Sequence, residues 1–318
     1  MIISASRRTD IPALYSEWFL NRLREGYLIC RNPMNGVPYR IDLSPGIVDC
    51  IVFWTKNPVP LIPHLSQLAA HNFYFQFTLT GYGKDIERNL PDKKDILIPA
   101  FRELSDLIGA EKVIWRYDPI LISDRYTPEY HRKAFAQIAS SLRGYTEKCV
   151  ISFIDIYPGI RKALQERGVR DLTQDQMRDM AVHLRDIASE NGMALATCAE
   201  IADLDDLGIS HNSCIDRELI ERITGKKIKK TKKITRDSGQ RKACACMSSR
   251  DIGTGGTCSN GCIYCYANRG GIGIKRNIEK YDPSSPILCG SIAPGEEVKD
   301  ASDMRSLFTG DGQISLFD

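Results

Sequence analysis

Six short apolar runs, each closed by a polar break and most followed by an amphipathic stretch, limit what this chain can fold into. They cover residues 2–6, 49–54, 73–80, 113–120, 149–157 and 193–198. Cys50-Ile-Val-Phe-Trp54 is apolar at every position, as a strand is when both faces of its sheet are covered. Helical periodicity begins near Pro12, with Leu14, Trp18, Phe19 and Leu23 on one face, and recurs at 94–108, 128–142 and 173–191. Strands alternating with helices predict an α/β fold, a parallel barrel or an open sheet. A chain of 318 residues suffices for one domain of barrel size or two smaller ones.

The polar residues gather at one end of these runs. Arg7, Arg8, Asp10, Lys56, Asn57, Thr80, Arg116, Asp118, Asp155 and Cys198 lie at or near the C-terminal ends, where a parallel barrel assembles its active site. Any sheet has polar residues at its strand ends, so one alone says little; repetition over six strands predicts a shared mouth. Arg116 and Asp118 interrupt an otherwise apolar strand, where an unpaired charge is costly. They are the candidate catalytic residues, and with Arg7 and Arg8 the candidates for recognising a substrate or cofactor.

Eleven cysteines could mean disulfides. The first residues do not read as a secretory signal, and no apolar run nears the ~20 residues of a bilayer span. The expectation is therefore a cytoplasmic protein without a membrane partner, whose clustered cysteines bind metal or catalyse. Cys30, Cys50, Cys149 and Cys289 are scattered; the other seven crowd into one stretch. Cys258, Cys262 and Cys265 sit on a loop made supple by Gly253, Gly255, Gly256 and Gly261. Three thiolates on a [4Fe–4S] cluster leave one iron free for a substrate or cofactor, whereas structural zinc wants four ligands. A zinc knuckle completed by another Cys or His is the alternative. Cys198, Cys214, Cys244 and Cys246 supply four thiols, enough for a second [4Fe–4S] cluster or a zinc ion, with His211 as a substitute ligand. In another reading Cys198 is a redox or hydrogen-donating thiol and Cys214 is merely buried.

The spacing Cys-x3-Cys-x2-Cys, with Tyr264 before the last cysteine, resembles the signature of radical S-adenosylmethionine (SAM) enzymes. The trailing Tyr266-Ala267 is similar to the spore photoproduct lyase branch. The resemblance implies that the open iron chelates SAM, and that an electron, delivered by a donor such as flavodoxin or ferredoxin, cleaves it to a 5′-deoxyadenosyl radical. Phe-Trp-Thr-Lys-Asn at 53–57, Phe-Thr-Leu-Thr at 77–80 and Trp-Arg-Tyr-Asp-Pro-Ile at 115–120 resemble, in order, segments of that lyase-like barrel. By that resemblance Lys56 contacts the SAM carboxylate, Thr78 or Thr80 makes a polar contact, and Tyr266 adjoins the cluster. The family's Gly-Gly-Glu segment for SAM is missing from its expected place.

In that family the cysteine loop follows the first strand, yet here it comes after all six. The expected architecture is therefore a partial parallel (β/α) barrel of radical SAM type, circularly permuted, over residues 1–200. A basic connector at 201–243, a Cys-rich cluster-binding segment at 244–290 and a polar tail at 291–318 complete it. From Ser-Ala-Ser-Arg-Arg-Thr-Asp at 4–10 to Gly-Cys-Ile-Tyr-Cys-Tyr-Ala-Asn at 261–268, the chain resembles the DUF1848 family, a resemblance that names no reaction.

Two further features bear on partners. The run at 225–236 is strongly basic and could touch phosphate, but it holds no aromatic for base stacking; a solvated linker is the plainer reading. Gln313-Ile-Ser-Leu-Phe317 resembles the short peptide that repair proteins insert into the DNA sliding clamp, and a tail packing its own Leu and Phe is the alternative. A substrate in nucleic acid repair or modification would suit both. The rival classes are a non-catalytic zinc protein associated with nucleic acid and an iron–sulfur redox protein that does not bind SAM.

Overall fold

The computed structural model describes residues 1–200, 204–229, 237, 240–241, 243–267, 271–302 and 304–309. Among them the strands are β1 (Ile2–Ala5), β2 (Tyr27–Arg31), β3 (Pro38–Asp42), β4 (Cys50–Thr55), β5 (Phe73–Thr78), β6 (Val113–Ile120), β7 (Lys148–Phe153), β8 (Ala194–Thr197), β9 (Ser210–His211), β10 (Arg250–Asp251) and β11 (Lys299–Asp300). The helices are α1 (Ile11–Leu14), α2 (Ser16–Glu25), α3 (Ile98–Ile108), α4 (Pro128–Ser141), α5 (Pro158–Gln165), α6 (Gln174–Glu190), α7 (Arg217–Thr224) and α8 (Gly271–Ile278).

Eight strands form one sheet in the order β10-β1-β4-β5-β6-β7-β8-β9. Every neighbouring pair is parallel, consistent with a partial α/β barrel. The six expected strands are its centre. The short β9 and β10 are additions, and β10 pairs Ile3 with Arg250 and Ser4 with Asp251. No described helix is long and apolar enough to cross a membrane.

Alternate residues of a strand point to opposite faces, and here each face meets its own apolar layer. Ile3, Phe53, Phe75, Phe77 and Trp115 pack with Trp18 and Phe19 of α2, Phe101 of α3, Phe135 of α4 and Leu184 of α6. Ile2, Val52, Tyr74, Ile114 and Val150 pack with Cys214, Ile215, Leu219, Ile220 and Met247. Strands apolar on both faces demand two covers. The second comes from the segment expected to be a mere connector, so 204–229 is structural rather than a solvated link. Of the basic run, 230–236 lies outside the described residues.

Helix boundaries follow local chemistry. Thr127 caps α4 by accepting from the Tyr130 amide at 3.1 Å, and Thr173 opens α6 with a reciprocal capping box to Gln176. The helix expected from residue 94 begins as one π-helical turn, Lys93–Leu97, and becomes α-helical at Ile98. Pro99 in its first turn has no amide hydrogen to leave unpaired.

A second, three-stranded sheet was not anticipated. β2 and β3 form an antiparallel hairpin, and β11 adds to it in parallel. The segment expected as a polar tail therefore returns to the body: Ser306 and Leu307 donate to the Asp49 carboxylate at 2.5 and 2.7 Å. Gln313–Phe317 lies outside the described residues.

Candidate active site

At the C-terminal edge of the parallel sheet lies a cavity of about 460 Å³. Each central strand contributes to its wall: Arg7 and Arg8 after β1, Lys56 after β4, Thr78 at the end of β5, Arg116 and Asp118 on β6, Ser152 on β7 and Cys198 after β8. The opposite wall is the cysteine-rich segment, including Cys258, Cys262, Cys265 and Tyr266.

The loop bearing Cys258, Cys262 and Cys265 is bolted to strand ends far away in sequence. Asp10, 6% exposed, accepts from Thr55 Oγ1 at 2.7 Å, the Lys56 amide at 2.8 Å and Asn260 Nδ2 at 2.9 Å. It also caps α1 through the Ala13 amide. Burial leaves its pKa raised in spite of these donors. Asn89 Nδ2 donates to the Ser259 carbonyl at 2.7 Å, and the Ile263 amide to the Ile86 carbonyl at 3.0 Å. Between these anchors Gly261 turns with φ +70°, and a Cβ there would meet Asn89 Nδ2 at 3.0 Å, so glycine answers both demands.

Glu87, 2% exposed, braces the far side of the loop. It receives Lys56 Nζ at 2.9 Å, Thr80 Oγ1 at 2.9 Å, and bonds from Lys93 and the Tyr264 hydroxyl. Burial would raise this carboxyl, but the ammonium groups of Lys56 and Lys93 outweigh it and hold it at about 2. Burial pushes the Cys258 and Cys262 thiols up to about 12. They are therefore not preformed nucleophiles; coordination to a metal is what deprotonates such thiols.

A second group of thiols lines the same cavity. Cys198 Sγ lies 3.4 Å from Cys214 Sγ. Cys214 shares a thiol hydrogen bond with Cys246, and Cys246 with Cys244. The bond to Cys246 holds the Cys244 thiol down at about 7. Arg116 Nη1 donates to Cys214 Sγ at 2.8 Å and to Gln76 Oε1 at 3.2 Å, while its other edge grips Asp118. Asp118 also accepts from the Ser152 hydroxyl. Arg7 faces Cys246 and Cys214 electrostatically. Both guanidinium groups lie over the Trp54 ring, at 4.8 and 5.3 Å from its centre, a cation–π arrangement.

All seven clustered cysteines line the cavity, as do Arg7, Arg8, Lys56, Thr78, Arg116, Asp118 and Tyr266. Thr80 does not: it is 1% exposed and bonded to Glu87. His211 is exposed on β9 and also stands apart from the wall. Arg116 faces thiols and Asp118 on that lining. Arg8 is engaged by Asp251, its Nε at 3.1 Å from the carboxylate. Among the described residues no three His, Cys, Asp or Glu side chains close around a single ion-sized point.

Glu87, Asn260 and Asp251 were not expected. Asp251 accepts from Ser4 Oγ at 3.0 Å, Ser6 Oγ at 2.7 Å and the Arg7 amide at 2.8 Å, which fixes the loop after β1. Its strand has two residues, too few to show periodicity. Asn260 offered a signal, since it lies between two of the cysteines; Glu87 offered none.

A model of the family described as a domain of unknown function, DUF1848, matches residues 2–267. That span contains the whole parallel sheet and all seven cysteines of the cavity wall. No curated protein matches the chain.

Proposed function

The chain belongs to the DUF1848 family, and from that premise we propose that it is a radical SAM enzyme whose [4Fe–4S] cluster is held by Cys258, Cys262 and Cys265. The observation that carries this reading is the place of the cysteine loop. It leaves β10, which lies parallel beside β1 at the edge of the sheet. In space, therefore, the loop follows the first strand of the series, although in sequence it comes late. A radical SAM barrel carries its cysteine loop after the first strand. The order β10-β1-β4-β5-β6-β7-β8 is the order such a barrel would have with its first unit moved behind the others, a circular permutation.

The residues fit such a cluster. Three thiols face one cavity, on a loop whose turn at Gly261 and anchors at Asn260 and Ile263 hold it against the strand ends. A cluster held there would supply the one electron that splits SAM into methionine and a 5′-deoxyadenosyl radical, the species that would take a hydrogen atom from the substrate. The chain's own part is binding, orientation and exclusion of water. A cavity of about 460 Å³ is in the range of small-molecule and cofactor sites. Lys56, Thr78 and Tyr266 offer the polar and aromatic contacts for SAM. Asp118, steadied by Arg116 and Ser152, presents a fixed carboxylate toward the substrate. A one-electron carrier such as flavodoxin or ferredoxin is the partner this chemistry needs.

The test is electron paramagnetic resonance of anaerobically purified, dithionite-reduced protein with and without SAM, beside iron and sulfide analysis. The expected result is a reduced-cluster signal altered by SAM, with that response to SAM abolished by Cys262→Ala. A signal indifferent to SAM, or zinc without sulfide, overturns the reading.

A further inference from the structure

We propose that Cys198, Cys214, Cys244 and Cys246 hold a second iron–sulfur cluster, with a protein thiolate on every iron, on the wall of the same cavity. The site stands on its own residues and does not depend on the reading of the cysteine triplet.

Three separate stretches of chain deliver these thiols: the end of β8, the turn after β9 and the residues before β10. Cys198 Sγ lies 3.4 Å from Cys214 Sγ, and Cys244 and Cys246 line the same cavity beside them. Four thiolates suffice for a four-iron cube, one on each iron, or for a single zinc ion, and metal analysis separates the two.

The neighbouring charges point the same way. Arg116, 4% exposed, aims Nη1 at Cys214 Sγ from 2.8 Å. Arg7 faces Cys246 and Cys214, and its buried Nη2 has no hydrogen-bond partner among the described residues. Guanidinium groups are costly to bury against neutral thiols. Against thiolates and inorganic sulfides, which carry negative charge and accept hydrogen bonds, the same groups are compensated. Asp118 offsets Arg116, whereas Arg7 has Asp251, which accepts its amide rather than its guanidinium, and Asp237 at 4.0 Å from Nη1. Because every iron is closed by a cysteine, this cluster's role is electron transfer rather than substrate binding.

The experiment uses the full chain, purified and reconstituted without oxygen, in two variants: Cys214→Ala/Cys246→Ala and Cys258→Ala/Cys262→Ala/Cys265→Ala. Wild type is expected to hold about eight irons and each variant about four. The signal left in the first variant should respond to SAM; the signal left in the second should not. Wild type with about four irons, all lost in the triplet variant, overturns the proposal. So does zinc retained by the quartet, or a Cys198–Cys214 disulfide in protein whose iron is confined to the triplet. If the first variant fails to fold, iron remaining in the triplet variant decides alone. Failure of the triplet reading looks different: iron persists in the quartet while no signal responds to SAM.

Discussion

Asn260 donates its side-chain amide to Asp10 Oδ2 at 2.9 Å, joining the middle of the cysteine loop to the residue that caps α1 after β1, across 250 residues of chain. The same carboxylate receives Thr55 and the Lys56 amide from the end of β4. One buried residue thus sets the distance between the loop and two barrel strands.

Asp10→Ala should leave these donors without a partner in a buried setting. Each orphaned group costs about 1–3 kcal/mol, so a drop in denaturation midpoint is expected together with lower iron content. Asp10→Asn, which keeps an acceptor oxygen, should recover part of both. Equal iron loading in all three proteins would remove Asp10 from the role of loop anchor.

Gly261→Ala tests the turn itself. The left-handed φ of +70° costs a residue with a Cβ roughly 1–2 kcal/mol, and contact with Asn89 adds to it. The expected outcome is reduced iron retention during gel filtration, with far-ultraviolet circular dichroism unchanged because the sheet does not depend on this residue.

His131 gives a pH signature. It is 0% exposed on α4, with Nδ1 2.8 Å from the Tyr117 hydroxyl and Nε2 2.9 Å from the Leu121 carbonyl. Burial lowers its pKa from 6.5 to about 4. The unfolded chain therefore binds the proton first. The stability due to neutral His131 is fully present above pH 6.5 and is lost as pH falls from there toward 4. The loss should reach on the order of 3 kcal/mol, measured as urea midpoint against pH. His131→Gln should flatten this part of the profile, and an unchanged slope would show that another group governs it.

Arg116→Gln should destabilise the apoprotein by about 3–5 kcal/mol, the usual consequence of breaking a buried ion pair from one side. Arg116→Lys keeps the charge but not the fork that reaches Asp118, Gln76 and Cys214 together. It should fall between wild type and Arg116→Gln in chemical denaturation.

The central strands were legible in sequence because burial on both faces leaves runs such as Cys50 to Trp54 with no polar residue. The polar residues that follow them, Arg7, Lys56 and Cys198, announced a common mouth for the same reason: only there does the backbone leave the core. The pairing of β10 with β1 was not legible, since two residues carry no period. Glu87 was hidden too, because its burial depends on Lys56, Lys93 and Tyr264 arriving from elsewhere in the chain. Residues 204–229 read as a connector because their short apolar clusters match no long helix or strand. Their partner is a sheet face made by distant residues.

Local pattern therefore determined the elements and the residue types at their ends, since hydrophobic periodicity and cysteine spacing are properties of neighbouring positions. The meeting of Arg7 and Arg116 over Trp54, the run of Cys198, Cys214, Cys246 and Cys244, and the bond from Asn260 to Asp10 were decided by tertiary structure alone. Each joins residues that no local interaction brings together; parallel strand order, set by burying both faces of the sheet, places them at one edge.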